Sequence, residues 1–138
     1  MAITSFSGAY RFLSNFYPAL GLTLEHHFQA AKTDDPAQHA RILSAKTPGE
    51  AKRLGRRATL RADWETRKDR EMLYLLRMKF NEKALAKKLV ETGDGELIEG
   101  NSWGDTYWGA VKSNGKWVGQ NKLGRLLMQV RRELQGVE

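Results

Sequence analysis

The sequence predicts a mainly α fold: a compact helical bundle with a few short β-strands, formed by a single domain over residues 1–138. Three observations support this prediction. Apolar residues make up 41% of the chain, which is enough for one buried core. Apolar side chains recur at helical spacing in two long segments. Proline, threonine and aspartate residues mark several helix starts.

The N-terminal residues are predicted to form a loop, two short strands and one helix. Residues 1–21 form the loop, with one strand near Ile3–Phe6. A second strand at 22–24 leads into a helix over about 25–33. That helix ends at Asp34-Asp35-Pro36, because the residue before a proline disfavours helical backbone.

Three further helices are predicted, each with its own start signal. The first covers about 36–44 and opens on a proline, which suits the first helical turn. Thr47-Pro48-Gly49-Glu50 has the composition of a capping box, and its helix continues through residue 54. The third is the longest, over 64–91, with Asp63 as its N-cap and apolar residues at four-residue spacing.

The C-terminal part is predicted to be an irregular loop followed by one helix. Residues 93–116 combine glycine, asparagine and closely spaced aromatics, which favours a loop with short strands near 97–98 and 108–111. Gly119-Gln120-Asn121 then starts a last amphipathic helix.

Composition limits the possible functions. The chain carries 23 Lys and Arg against 16 Asp and Glu, a net charge of +7, which favours polyanionic partners such as nucleic acid, nucleotides or phosphorylated metabolites. A domain with spare surface lysines explains the same charge equally well. The absence of cysteine excludes disulfides and thiolate chemistry. Neither a signal peptide nor an apolar span long enough for a bilayer is present, so we expect a cytoplasmic protein without a membrane partner.

The segment around the first predicted helix carries a possible acid and base. Glu25, Gln29 and Lys32 fall on one helical face beside apolar residues, where the pKa of a carboxylate or an amine is expected to shift. A solvated polar stripe is the alternative interpretation. The adjacent His26 and His27 point about 100° apart on a helix, so we expect no metal site there.

Two C-terminal segments have features of a nucleotide pocket. In the glycine-flanked loop, Trp103 or Trp108 could stack on a base while Asp105 or Asn101 binds a ribose or a base edge, although tryptophans are also common core residues. At Gly119–Arg125, free N–H groups at a helix start would favour a phosphate. Asn121 as a plain N-cap is the alternative there.

Taken in order, these segments resemble the NADAR family, also called YbiA-like proteins. The resemblance covers nearly the whole chain and is more specific than any one motif. It is carried by Phe12-Leu13-Ser14-Asn15-Phe16-Tyr17-Pro18, Leu24-Glu25-His26 to Lys32, Thr47-Pro48 to Gly55-Arg56, Arg61-x-Asp63-Trp64-Glu65, Glu99-Gly100-Asn101-x-Trp103-Gly104-Asp105-x-x-Trp108-Gly109, and Gly119-x-Asn121-x-Leu123-Gly124 with Leu127-Met128.

The resemblance implies a helical bundle with N-glycosidase activity on ribosylated bases. One branch of the family removes ADP-ribose from guanine in nucleic acid, and the basic composition favours this branch. The other cleaves ribosylaminopyrimidine intermediates of riboflavin biosynthesis. A catalytically silent ADP-ribose-binding module is a third possibility. The expected partner is therefore an ADP-ribosylated nucleic acid or a small ribosylated nucleotide, with no cofactor and no metal.

The resemblance also assigns roles to residues. Breaking a C1′–N bond passes through an oxocarbenium-like species, so Glu25 and Asp105 would stabilise positive charge, activate water or protonate the base. Alternatively, Lys32 would attack C1′ and form a Schiff base. The implied substrate-binding residues are Asn15, Phe16, Tyr17, Gln29, Arg61, Asn101, Trp103, Trp108, Gly119 and Asn121, with Asp63 and Trp64 bracing the site.

Overall fold

The computed structural model describes residues 2–136, and its regular structure is mainly helical. Six α-helices, one 3₁₀ helix and four strands of two or three residues form within this range, which confirms the predicted fold class. No helix among them is long and apolar enough to cross a membrane.

The chain divides into two compact units. The central unit is residues 15–79, and the terminal unit combines residues 2–14 with residues 80–136. One domain over 1–138 stays a prediction, and residues 1, 137 and 138 lie outside the described part.

The central unit begins with a β-hairpin and continues as four helices. Leu20 and Gly21 turn the hairpin with positive φ angles of 57° and 80°, and its two strands pair antiparallel. Its elements are β1 (Pro18–Ala19), β2 (Leu22–Thr23), α1 (Leu24–Ala30), α2 (Pro36–Leu43), α3 (Pro48–Arg57) and α4 (Trp64–Lys79).

Side-chain caps explain where three of these helices start. The Thr23 hydroxyl accepts the His26 N–H at α1, and the Thr47 hydroxyl accepts the Glu50 N–H at α3, as the capping box predicts. At α2, the Asp35 carboxylate accepts two N–H groups of the first turn. Helix α1 is shorter than predicted and α3 is longer, ending at Ala30 and Arg57.

Helices α1 and α3 meet at Gly55, where only a glycine fits. A Cβ atom on Gly55 would lie 1.9 Å from Gln29 Oε1 and 2.8 Å from Gln29 Cδ. One turn earlier, the fully buried Ala51 belongs to a core cluster with Ala30 and Ile42. The small residues of α3 therefore allow α1 to approach closely.

The terminal unit combines elements from its N-terminal segment and its C-terminal segment. Ile3 forms a parallel bridge with Leu97, and Gly100 forms another with Ala110, so the strands predicted around Ile3 and Leu97 are single bridges. Its elements are a 3₁₀ helix (Gly8–Leu13), α5 (Lys83–Glu91), β3 (Val111–Ser113), β4 (Lys116–Val118) and α6 (Lys122–Leu134).

The helix predicted over 64–91 is two helices, and that prediction is wrong. Helix α4 ends at Lys79, and Glu82 starts α5 because its carboxylate accepts the N–H groups of Ala84 and Leu85. The apolar spacing continues across the break, so hydrophobic periodicity alone does not show it.

Two further elements differ from the prediction. The 3₁₀ helix at Gly8–Leu13 falls in the predicted loop. Strands β3 and β4 form a hairpin around Asn114 and Gly115, both with positive φ. An Asn-Gly pair between two short strand-like segments is a strong hairpin signal. It places the strands at 111–113 and 116–118, and not at the predicted 108–111.

We expect Gly55→Ala to destabilise the protein by about 1–3 kcal/mol, because the new methyl group would overlap the buried Gln29 amide. Gly49→Ala is the matched control within α3, since a Cβ there meets only Thr47 Oγ1 at 3.9 Å. Urea unfolding of both variants measures the difference. Equal stability of the two variants would contradict the close approach at Gly55.

Candidate functional site

Helix α1 places a carboxylate and an amide against each other inside the central unit. Glu25 is 7% exposed and Gln29 is 4% exposed, and Gln29 Nε2 donates a short hydrogen bond to Glu25 Oε2. These two residues lie on one helical face, as predicted. On the same helix, Phe28 packs its ring against Trp64 of α4, with the ring centroids 5.2 Å apart.

Burial controls the chemistry of Glu25. Loss of solvent raises the pKa of its carboxyl group, while the hydrogen bond from Gln29 and the charges of Lys52 and Lys32 oppose this shift. A carboxyl group with a raised pKa can carry a proton closer to neutral pH than an exposed one. It is therefore suited to general-acid chemistry.

Lys32 lies two residues after the end of α1, and its pKa is shifted in the opposite direction to that of Glu25. Burial lowers the pKa of its amine, and Lys52, Arg56 and Lys68 lower it further, while Glu25 opposes them. A lower pKa leaves more of the amine neutral, which is the form that attacks carbon. The charges of Glu25 and Lys32 thus affect each other's pKa, as their spacing in the sequence suggested.

The surrounding cations come from two other helices. Lys52 and Arg56 are one turn apart on α3, and Lys68 lies on α4. Together with Lys32 they form a group that we call the basic cluster. Lys52 was missed as a site residue, although its i,i+4 spacing to Arg56 places both on one face of α3.

Two buried acceptors in the central unit have no hydrogen-bond partner among the described residues. They are Asn15 Oδ1 and Gln29 Oε1. Asn15 is otherwise well held, because its Nδ2 contacts Met72 Sδ at 3.6 Å and its backbone carbonyl accepts the Glu25 N–H at 3.0 Å. An unpaired buried acceptor is costly, so a donor from a ligand would be stabilising at Asn15 Oδ1, whereas Gln29 Oε1 packs against Gly55.

The aromatic residues after Asn15 differ in exposure. Phe16 is 43% exposed, while Tyr17 is half-buried with Lys79 Nζ 5.9 Å from its ring centroid. Burial lowers the pKa of Lys79 to about 7. An exposed Phe16 is available to a ligand without any rearrangement.

Arg61 is tied to the backbone next to the lysine. Its N–H donates to the Lys32 carbonyl at 2.7 Å, and its guanidinium pairs with Asp63 at 2.8 Å and Asp34 at 3.4 Å. The Arg61 guanidinium holds the pKa of Asp63 below its usual value. Arg61 therefore fixes the segment that carries Lys32, and its charge already has two carboxylate partners.

In the terminal unit, Asn101 and Asp105 organise the glycine-flanked loop. Asn101 Oδ1 accepts the Asp105 N–H, and Asn101 Nδ2 donates to the Asp105 carbonyl at 2.8 Å. Asp105 Oδ1 in turn accepts the N–H groups of Tyr107 and Trp108 at 3.0 and 2.9 Å. Both side chains thus have structural hydrogen bonds in addition to any role in binding.

The two tryptophans of this loop are placed differently. Trp103 is 67% exposed and precedes Gly104, whose φ is 85°. Trp108 is half-buried and packs edge-to-face on Tyr107 at 4.9 Å. An indole held on an ordered loop and open to solvent is a surface on which a flat ring can stack.

The start of α6 does not offer the free N–H groups that the sequence suggested, and this expectation is wrong. The N–H groups of residues 120–123 donate to the carbonyls of residues 106–109, at 2.7 to 3.1 Å. Gly119 lies close to the same loop, since a Cβ there would be 2.6 Å from the Gly109 carbonyl. The loop therefore occupies the place that a phosphate would need.

Asn121 is also not a side-chain N-cap. It precedes α6 with a left-handed backbone and makes no capping hydrogen bond to the helix. Its buried amide instead accepts the Glu99 N–H and donates to the Leu97 carbonyl, both at 2.9 Å. These bonds hold the strand-like segment at 97–99 on the helix.

The two histidines of α1 bind backbone carbonyls. His26 Nε2 lies 2.9 Å from the Ala45 oxygen, and His27 Nε2 lies 3.0 Å from the Leu20 oxygen. Nε2 of His26 donates to that carbonyl, and its Nδ1 lies 2.8 Å from the Thr23 hydroxyl oxygen. Both rings are thus used in the fold of the central unit.

Known proteins resemble this chain along most of its length. A riboflavin biosynthesis protein of Vibrio vulnificus is 39% identical over 135 residues, which cover 90% of this chain and 35% of that protein. The chain therefore spans about a third of that relative. The N-glycosidase YbiA of Shigella boydii is 40% identical over 115 residues, covering 81% of this chain and 69% of that protein.

A solved structure and a family model agree with these relatives. The NMR structure of Escherichia coli YbiA matches with a TM-score of 0.81 and 35% identity, over 98% of this chain and 84% of that one. The NADAR domain model matches residues 6–135, which include residues of both units. The chain belongs to the NADAR domain family.

Proposed function

We propose that this chain is an N-glycosidase that removes ADP-ribose from guanine in nucleic acid. The observation that carries the proposal is the buried Glu25 carboxyl group, which lies beside an amine of lowered pKa and within the basic cluster. An acid and a nucleophile next to fixed cations suit a reaction at the C1′ atom of a phosphorylated sugar. The N-glycosidase name of the Shigella relative supports the reaction class.

In the proposed reaction, Glu25 donates its proton to the leaving nitrogen of the base while the C1′–N bond breaks. The positive charge that develops at C1′ is stabilised by the carboxylate that remains. Hydrogen bonding from Gln29 fixes the orientation of that carboxylate. Glu25 thus acts first as the proton donor and then, as a carboxylate, as the negative charge that stabilises C1′.

Lys32 supplies the nucleophile in this proposal. Its neutral amine bonds to C1′ once the C1′–N bond to the base has broken. A proton then passes from the amine to the ring oxygen O4′ as the C1′–O4′ bond opens, so that C1′ becomes the carbon of a protonated imine. Water then adds to C1′ and gives one proton to the Glu25 carboxylate. The bond between C1′ and Lys32 breaks to release the neutral amine, and the freed sugar closes again. The reaction consumes one water molecule and requires no cofactor or metal.

The substrate is proposed to carry phosphates, because the basic cluster would repel a cationic ligand and attract a pyrophosphate. The unpaired oxygen of Asn15 would accept a hydroxyl or amine donor of the sugar or base. Gln29 stays a predicted binding residue, although its Oε1 packs against Gly55. The remaining predicted binding residues stay predictions; they are Phe16, Tyr17, Arg61, Asn101, Trp103, Trp108, Gly119 and Asn121. A cytoplasmic location also stays a prediction.

Cleavage of ribosylaminopyrimidine intermediates is the second candidate function. The name of the Vibrio relative, a riboflavin biosynthesis protein, favours it. Such a small substrate needs no affinity for a nucleic-acid strand. The non-catalytic ADP-ribose-binding module predicts binding of free ADP-ribose without release from either substrate.

We expect the protein to release free ADP-ribose from ADP-ribosylated single-stranded DNA, and Glu25→Gln to lower the rate at least about 100-fold. Chromatography of the released ADP-ribose measures both. A parallel reaction contains a phosphorylated ribosylaminopyrimidine. Cleavage of the pyrimidine alone would contradict the proposed substrate, and cleavage of neither would contradict the reaction class.

The same Glu25→Gln variant is expected to be more stable than the parent at pH 8 and not at pH 4. A raised pKa in the folded state means that Glu25 stabilises the fold when protonated, and this contribution is lost as pH rises through that pKa. Thermal unfolding at both pH values measures the difference. A lower melting temperature at pH 8 would show that the charged form supports the fold.

Borohydride is expected to trap a covalent sugar adduct on Lys32 during turnover, because it reduces the imine to a stable amine. Lys32→Arg keeps a positive charge but should form no adduct and lose activity. Lys52→Arg is the matched control, since Lys52 belongs to the basic cluster but is not the proposed nucleophile. Full activity of Lys32→Arg with no adduct in the parent would show that water attacks C1′ directly.

Asp105 is proposed as a second acid or base, and its structural bonds allow a clean separation of roles. Asp105→Asn keeps an Oδ1 atom that can accept from Tyr107 and Trp108, so the loop should keep its stability. We expect this variant to unfold at the parent's temperature and to lose activity at least about 100-fold. Parental activity would limit Asp105 to holding the loop.

A further inference from the structure

The exposed side of α3 carries two arginines next to the basic cluster, and we propose that they bind the phosphodiester backbone of the strand that carries the modified base. The residues are Arg53 and Arg57, both on the surface. This inference rests on the proposed function, because it concerns a substrate attached to nucleic acid. It adds a binding surface that lies outside the group of residues acting on C1′.

Helical geometry relates this surface to the site. Lys52 and Arg56 differ by about 40° around α3, and their charges act on Lys32. Arg53 and Arg57 follow them by one residue each, so they form a parallel row about 100° further around the helix. A chain that leaves the basic cluster across the side of α3 would therefore meet these two guanidinium groups.

The central unit carries most of the positive charge of the chain. Residues 15–79 contain 13 Lys and Arg against 8 Asp and Glu, so this unit carries most of the net charge. Around the start of α4, Arg61, Arg67 and Lys68 all pair with carboxylates at 2.8 to 3.4 Å. Positive charge there is largely neutralised by neighbouring acids.

Helix α3 is different, because its only acidic residue is Glu50. Arg53 meets Glu50 at 3.8 Å, with both side chains about half exposed at 51% and 41%, and such a pair is weak. Arg57 takes part in no ion pair among the residues that the structure describes. These guanidinium groups are therefore available to an external anion.

The arrangement fits a strand better than a single phosphate. Side chains at i and i+4 on a helix are about 6 Å apart at Cβ, so the pair presents two separate donors along one line. Arginine forms bidentate hydrogen bonds with phosphate oxygens. Two such groups in a row would contact successive phosphates without reading the bases.

The test compares two double variants by fluorescence anisotropy with a labelled, unmodified single-stranded oligonucleotide. Arg53→Gln/Arg57→Gln removes the proposed contacts. Arg70→Gln/Arg77→Gln removes the same charge from exposed positions of α4, about 160° and 180° around the helix from Lys68. Binding is measured between 50 and 200 mM salt, and does not depend on catalysis.

We expect the α3 variant to bind roughly tenfold more weakly at low salt. The slope of log K against log salt should become shallower by about 1.4, since each contact with a single strand contributes about 0.7. The α4 variant should keep the parent's slope. Equal slopes for all three proteins would overturn the proposal, and so would equal losses in both double variants.

Activity distinguishes this surface from the catalytic site. The α3 variant should cleave the ADP-ribosylated oligonucleotide with about tenfold lower kcat/KM and cleave ADP-ribosylated guanosine within about twofold of the parent. Equal losses on both substrates would overturn the proposal by placing the arginines in the pocket. If neither substrate is cleaved by the parent, the proposed function fails, and the binding slopes alone still decide whether the strand surface exists.

Discussion

Burial of the Glu25 carboxyl group is the constraint on which the central unit depends. A carboxylate without water is costly, so the neighbouring structure has to supply its partners. Gln29, one turn further along α1, donates a hydrogen bond to the Glu25 side chain, and the Asn15 carbonyl accepts the Glu25 N–H. The glycine at position 55 is a consequence of the same packing, because a larger residue would displace the amide of Gln29.

The terminal unit satisfies a different constraint, which is the pairing of buried backbone groups. Its long loop contains one short hairpin and isolated bridges, and side-chain amides pair further backbone groups. Asn101 links three carbonyls of the loop, and Asn121 connects the segment at 97–99 to α6. The order of this loop thus comes from asparagine and aspartate side chains together with its backbone hydrogen bonds.

Local chemistry made part of this structure predictable. The starts of α2 and α3 follow from prolines and capping residues, and the contact of Glu25 with Gln29 follows from i,i+4 spacing. Lys52 could not be found in the same way, because its effect on Glu25 depends on how α3 packs against α1. The same is true of Asn121, whose partners lie more than 20 residues away in the sequence. Long-range packing decides such cases, and no local pattern encodes it.

The division of the chain into an inserted and a surrounding unit has a consequence for its synthesis. Ile3 is synthesised before the central unit, but its bridge partner is Leu97, and the segment around Leu97 is fixed by Asn121. The terminal unit therefore cannot form until Asn121 has been synthesised. Residues 15–79 are contiguous and contain their own core, so they can begin to fold while the later segments are still being translated.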